Sequence, residues 1–280
     1  MKPAKLQQAR RFYAALMAGA SHSSDPRFEN IVRKVPREDF LGPGPWKVVS
    51  GRRYIDTPDA NPEFLYQNVL VALDVDRRIN NGEPFLHARW IDAVDPQPGE
   101  HVSHIGAGTG YYSALLSKFV EPGGHVDAYE IDGRLATEAK HNLEPYANVT
   151  ALAADAVTHL VKASDLIYVN AGIAELPAAW IKALKPGGRM IFPWCPMDGM
   201  GLALLITARK QGLDAKPLMP VAFIPCSGAG RSSRSQPELD LSRMWKVRSV
   251  LSVSDREPDE TAVAIFGEFW FSTDLIGGDA

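Results

Sequence analysis

The sequence predicts an α/β fold: a Rossmann-like, doubly wound, mainly parallel sheet that ends in an antiparallel hairpin. Three features predict it. From His101 onward, short apolar runs alternate with longer segments of helical periodicity. A glycine-rich turn, Gly106-Ala-Gly-Thr-Gly110, separates the first of those runs from a helix. Acidic residues then stand at the tips of the next two runs, Glu130 and Asp155. Around this core the sequence predicts an N-terminal helical segment and a C-terminal β extension. The expected divisions are 1–98, 99–226 and 227–280.

Each element has its own reason. Leu6, Ala9, Phe12, Tyr13 and Leu16 fall at helical spacing and predict an amphipathic first helix. Asp25-Pro26, Gly42-Pro-Gly-Pro45 and Asp59-Ala-Asn-Pro62 then break the chain into short pieces. Between the breaks, 61–76 and 85–94 read as helices. The core strands are 101–105, 125–129, 149–153, 166–169 and 189–193, with helices over 111–120, 134–143 and 176–184. Lys185-Pro-Gly-Gly188 reads as the turn that ends the last of these helices. Segments 201–207 and 218–224 read as the antiparallel hairpin. Ser227 to Gln236 reads as a linker, and Arg231 to Arg234 within it as a solvated basic loop. Segments 244–254 and 261–271 read as strands packed on the main sheet.

Composition narrows the functional classes. The chain has 280 residues, 45% of them hydrophobic, enough for a full core. A net charge of −3 argues against a surface built for nucleic acid. No apolar run reaches the ~20 residues of a membrane span. Cys195 and Cys226 fit no metal or redox spacing and read as thiols of a reducing compartment, so the expectation is a cytoplasmic protein with no metal site. The oligomeric state is not legible.

The glycine turn points to a ligand, because parallel sheets bind ligands at the carboxyl ends of their strands and a glycine backbone admits close approach. The dinucleotide fingerprint G-x-G-x-x-G would place its third glycine at residue 111, where Tyr111 stands, and this disfavours NAD. Glu130 ends its strand where a carboxylate can accept both hydroxyls of a ribose. Asp155 follows the next strand, where it can accept from an adenine amine. No phosphate cradle is present. The combination suits an adenosine without phosphates, and S-adenosylmethionine is the natural candidate.

His101 to Pro193 resembles the class I S-adenosylmethionine-dependent methyltransferases, and more narrowly the protein-L-isoaspartate O-methyltransferase family. Val35-Pro-Arg-Glu-Asp-Phe40, Tyr54-Ile-Asp-Thr-Pro58, Leu184-Lys-Pro-Gly-Gly-Arg-Met-Ile-Phe-Pro193 and Pro217-Leu-Met-Pro-Val-Ala-Phe-Ile-Pro225 carry the narrower resemblance. It implies that Gly106, Gly108 and Gly110 line the methionine and ribose, that Glu130 holds the ribose hydroxyls, and that Asp155 with Ala156 brackets the adenine.

Two positions depart from the family pattern. His104 stands where the family usually has an acid near the cofactor's ammonium; a neutral imidazole could accept from it, whereas a protonated one would repel it. The histidine can equally be a core residue. Gly82 stands where the family carries a Ser or Thr hydroxyl, after an apparent insertion around Pro62 to Arg78. Asn80, Asn81 and Glu83 remain as candidates for orienting the acceptor, although Asn-Asn-Gly is also a turn sequence and Glu83 can be a solvated acid. His87 reads as a packed histidine. The expected activity is therefore methyl transfer to a carboxylate or other polar group of a small molecule or peptide. The alternatives are retained isoaspartyl methylation and a non-catalytic cofactor-binding protein.

Overall fold

The computed structural model describes residues 3–51, 53–159, 161–197, 200–229, 239 and 241–276. In chain order they form α1 (Pro3–Ser21), α2 (Phe28–Lys34), β1 (Lys47–Ser50), β2 (Arg53–Asp56), β3 (Ala72–Asp74), β4 (Ile79–Asn80), α3 (Pro84–Val94), β5 (His101–Ile105), α4 (Tyr111–Phe119), β6 (His125–Glu130), α5 (Gly133–Asn142) and β7 (Val149–Ala153). Then follow β8 (Ser164–Val169), α6 (Ala178–Ala183), β9 (Leu184–Met197), β10 (Met200–Arg209), β11 (Gly212–Ala222), α7 (Leu241–Met244), β12 (Ser249–Ser252), β13 (Ala262–Phe266) and β14 (Phe269–Ser272). The chain divides into two compact units, Met1–Glu100 with Ala107–Ala153, and His101–Gly106 with Ala154–Ala280.

In the first unit, α1 packs on α2 and α3. The helix is where the periodicity predicts, but its inner face is different. Tyr13, Ala14 and Met17 are buried, whereas Phe12 is 65% exposed and Leu16 lies on the same outer face. The expected helix over 61–76 does not form. Pro62–Leu65 is one 3-10 turn capped by Asn61, and β3 and β4 make a short hairpin. The reason is the alternation of Val69, Val71 and Leu73, which packs against Leu41, Trp46 and Leu65 as a strand would. A second hairpin pairs β1 with β2, and Val48 bridges to Val71. Strands β6 and β7 are parallel, from Val126↔Val149 to Glu130↔Ala153. Helix α5 packs on β7 and is capped by Asp132, whose carboxylate accepts from the Leu135 N–H at 2.9 Å.

Arg37 holds the inserted segment in place. Its guanidinium is completely buried. It donates to the carbonyls of Leu65 and Val69, each at 2.6 Å, to Gln67 O at 3.3 Å and to Asn81 Oδ1 at 3.1 Å. No carboxylate among the described residues pairs with it. Its charge is solvated by backbone dipoles of the insertion, so the insertion and the arginine require each other.

The second unit is sheet-dominated. Among the described residues its strand order is β13-β14-β12-β11-β10-β9-β8-β5. Strands β5, β8 and β9 are parallel; every step from β9 outward is antiparallel. The sheet is therefore less parallel than the sequence suggests, because the C-terminal strands join its edge through Leu213↔Val250 and Asp214↔Ser249 rather than packing over a face. Segment 244–254 contributes only β12. Segment 261–271 is a hairpin, not one strand, and turns at Gly267. Lys185–Gly188 is a bulge inside β9, since Ser164 pairs with Leu184 and Leu166 with Arg189. Edge-to-face contacts of Phe271 with Trp194 and Phe266, both at 4.8 Å, bury the extension's aromatic residues. Cys195 and Cys226 are free thiols, and burial pushes the Cys195 thiol up to about 12. No described helix is long and apolar enough to cross a membrane. Arg231 to Arg234 lie outside the described residues.

Replacing the buried guanidinium by an apolar chain should be costly, because the Leu65 and Val69 carbonyls would lose their donors. Arg37→Met is expected to lower the unfolding free energy by about 3 kcal/mol in urea titration. An unchanged midpoint would refute the role assigned to Arg37.

Candidate functional site

In the first unit the glycine turn is fixed from below by Glu130. The Gly108 N–H donates to Glu130 Oε2 at 2.7 Å, and the Asp132 N–H donates to Oε1 at 2.9 Å. The Ala107 N–H donates to Tyr129 O at 3.0 Å, and the Gly110 N–H to Ala107 O at 2.9 Å. Burial raises the Glu130 carboxyl above its ordinary range, while backbone N–H bonds from Asp132, Gly108 and Ile131 oppose that shift. The Ile131 N–H also bonds this carboxylate, which still has acceptor capacity beyond the three bonds. Gly110 has φ +99°, and a Cβ there would sit 2.8 Å from Leu143 Cδ1, so only glycine fits. Tyr111, which displaces the dinucleotide glycine, is buried edge-on against Phe40 at 5.6 Å.

The second unit holds the remaining predicted cofactor residues. Asp155 follows β7; its Oδ1 accepts from the Val157 N–H at 2.9 Å. The Ala156 carbonyl accepts from Trp180 Nε1 at 2.8 Å, which anchors the stretch to a fully buried indole. His104 in β5 exposes no surface, and burial lowers its pKa to about 3. The imidazole is therefore neutral, which removes the repulsion that a protonated ring would have imposed. Its Nε2 lies 2.8 Å from Asn170 Nδ2, and its ring meets Tyr168 edge-on at 5.6 Å. Asn170, directly after β8, was not singled out from the sequence. Its place at the tip of a parallel strand is the signal that could have found it.

Residues 80–83, the expected acceptor segment, are ordered by their own contacts. Asn80 has both ends of its amide engaged: Oδ1 accepts from the Tyr54 hydroxyl at 2.9 Å, and Nδ2 donates to Arg78 O at 2.8 Å. Asn81 accepts at Oδ1 from Arg37 and from the Val71 N–H, and its buried Nδ2 has no partner. Glu83 accepts from Asn68 Nδ2 at 2.8 Å. Of the three predicted residues, Asn81 alone keeps an unused buried donor.

Gly82 has a structural reason to lack a side chain. Its φ is +83°, and a Cβ would fall 2.5 Å from His87 Nε2 and 2.8 Å from Tyr112 Cε2. The two rings are stacked at 3.7 Å, and both are buried. Where a hydroxyl side chain would project, the imidazole and phenol already fill the space.

The inserted hairpin flanks the glycine turn. A Cβ on Gly108 would lie 3.5 Å from Leu73 Cδ1. Arg77 pairs with Asp132 at 2.6 Å and with Asp74 at 2.8 Å, and Arg134 donates to Leu73 O at 3.1 Å. Nothing in the sequence signals that this hairpin is clamped beside Glu130. Within the first unit this leaves the Glu130 carboxylate beside the Gly108 backbone, and a buried amide donor on Asn81.

Residues 22–231 match the family described as protein-L-isoaspartate(D-aspartate) O-methyltransferase. A protein-L-isoaspartate O-methyltransferase of Ignicoccus hospitalis is 30% identical over 196 residues, 69% of this chain and 84% of the relative. A solved protein-L-isoaspartate O-methyltransferase aligns over 95% of this chain and 88% of its own, with a TM-score of 0.63 at 19% identity. One from Plasmodium falciparum, in complex with S-adenosyl-L-homocysteine, aligns over 78% and 97% with a TM-score of 0.59 at 16% identity.

The filled slot predicts the effect of restoring a side chain. Gly82→Ser should lower stability by about 2–4 kcal/mol, from a strained positive φ together with the clash on His87. Thermal denaturation checks this, and a variant as stable as the parent would show that the slot is open.

Proposed function

This chain belongs to the protein-L-isoaspartate O-methyltransferase family, and from that premise we propose methyl transfer to a carboxylate of a small molecule or peptide, at an acceptor site that lacks the family's hydroxyl. The chain is an S-adenosylmethionine-dependent methyltransferase. What is proposed concerns which residues bind cofactor and acceptor, and which acceptor is used.

For the cofactor, the residues present fit. Gly106, Gly108 and Gly110 leave the backbone bare for the methionine and ribose portion. Glu130 has lone pairs left for a ribose diol after accepting from Gly108 and Asp132. Asp155 uses only Oδ1, so Oδ2 can accept from an adenine amine beside Ala156. His104 is assigned to the methionine end. When bound, S-adenosylmethionine supplies a methyl group on a sulfonium, already a good electrophile.

The protein's own part is alignment. Holding the acceptor in line with the methyl group can supply much of the acceleration. A carboxylate acceptor is ionised at neutral pH and needs no base, whereas an amine or hydroxyl would need one. Asn81 Nδ2 is a donor suited to a carboxylate oxygen, Glu83 stands beside it, and Asn80 shapes the turn. We assign residues 1–98 to the acceptor side, 99–226 to the cofactor core and 227–280 to a supporting extension. The free thiols support a cytoplasmic setting.

The observation that carries the changed acceptor is Gly82 beneath the His87–Tyr112 stack, which excludes a side-chain hydroxyl. A second reading is genuine isoaspartyl carboxyl methylation with Asn81 in place of the hydroxyl. The relatives' names favour it. Incubation with an isoaspartyl peptide and methyl-labelled cofactor separates the two. The changed-acceptor reading expects no base-labile methyl ester on the peptide; ester formation with repeated turnover would establish the second reading.

A further inference from the structure

Away from residues 80–83, a half-buried asparagine meets a fully buried histidine at the start of the glycine turn. Asn170 joins β8 to the following loop, and its N–H donates to Ile105 O at 2.8 Å. This places it against the first glycine: a Cβ on Gly106 would lie 3.3 Å from the Asn170 carbonyl carbon and 3.6 Å from its Cβ. The amide Nδ2 is 2.8 Å from His104 Nε2. The amide Oδ1 is buried and accepts no hydrogen bond.

These facts have a chemical sequence. His104 exposes no surface and is neutral. With its proton on Nδ1, Nε2 is an acceptor, which fixes the Asn170 side chain with its nitrogen toward the ring. The oxygen is thereby turned away from the imidazole. A buried carbonyl oxygen without a donor is unfavourable until a donor arrives. Because Gly106 lacks a side chain, Asn170 packs directly against the first residue of the glycine turn.

We infer that Asn170, held by His104, receives the ammonium group of the cofactor's methionine end through Oδ1, so that a neutral amide–imidazole pair does what a carboxylate does elsewhere in the family. His104 is then a positioning residue and Asn170 the contact. The inference rests on the cofactor reading above, and it names a residue that the glycine motif does not contain.

Titration calorimetry with two ligands tests it. S-adenosylhomocysteine carries the ammonium group; 5′-methylthioadenosine has the same nucleoside and sulfur without it. Asn170→Ala is expected to weaken S-adenosylhomocysteine at least tenfold and to leave methylthioadenosine within about twofold of the parent. Asn170→Asp, which keeps an oxygen at the same place, should restore S-adenosylhomocysteine binding. Equal loss of both ligands in Asn170→Ala, or loss of neither, overturns the inference while the cofactor reading stands. A folded parent protein that binds neither ligand overturns both.

Discussion

The hydrogen bond from the Gly108 N–H to the Glu130 carboxylate, at 2.7 Å, is the constraint on which the rest of the site depends. It ties the glycine turn to the tip of β6. The partner oxygen accepts from Asp132 and so sets where α5 begins. One side chain thus fixes a loop and a helix start. Burial raises the energy of its charged form, and the backbone donors offset that cost. This explains why an acid, rather than an amide, stands there: an amide would present a donor to one of the two N–H groups.

The segment before α3 follows a different logic. Two rings are packed beneath Gly82, a glycine in the left-handed region. The insertion before it is held by a buried arginine through backbone carbonyls, and by ion pairs beside Glu130. The exposed pairs contribute little individually. Arg37 matters more, because among the described residues its buried charge is met by backbone carbonyls and Asn81 Oδ1 and by no carboxylate. Asn81 links the two features: its Oδ1 accepts from Arg37, and its neighbour is Gly82.

Much of the fold was legible, and the reason is periodicity. The core strands and helices from His101 to Pro193 carry strong apolar patterns, and their elements fall within a few residues of expectation. The failures share a cause. Segment 61–76 mixes a helical composition with the alternation of Val69, Val71 and Leu73, and burial against Trp46 decided for strands. In the C-terminal region, the edge partners of β12 to β14 are long-range and leave no local trace in the sequence. For the site, Glu130 and the glycine turn could be read because motif spacing encodes them. The His87–Tyr112 stack could not, because it forms only through tertiary packing; Asn170 left only its place after a parallel strand as a signal. The charge state of His104 also needed the structure, since burial alone sets it.

A crystal structure of the protein with S-adenosylhomocysteine tests the central claim most directly. The account predicts both ribose hydroxyls within hydrogen-bond distance of the Glu130 oxygens, with the Gly108 bond intact and the adenine amine at Asp155. A nucleoside bound elsewhere, or Glu130 turned away from the sugar, would contradict it.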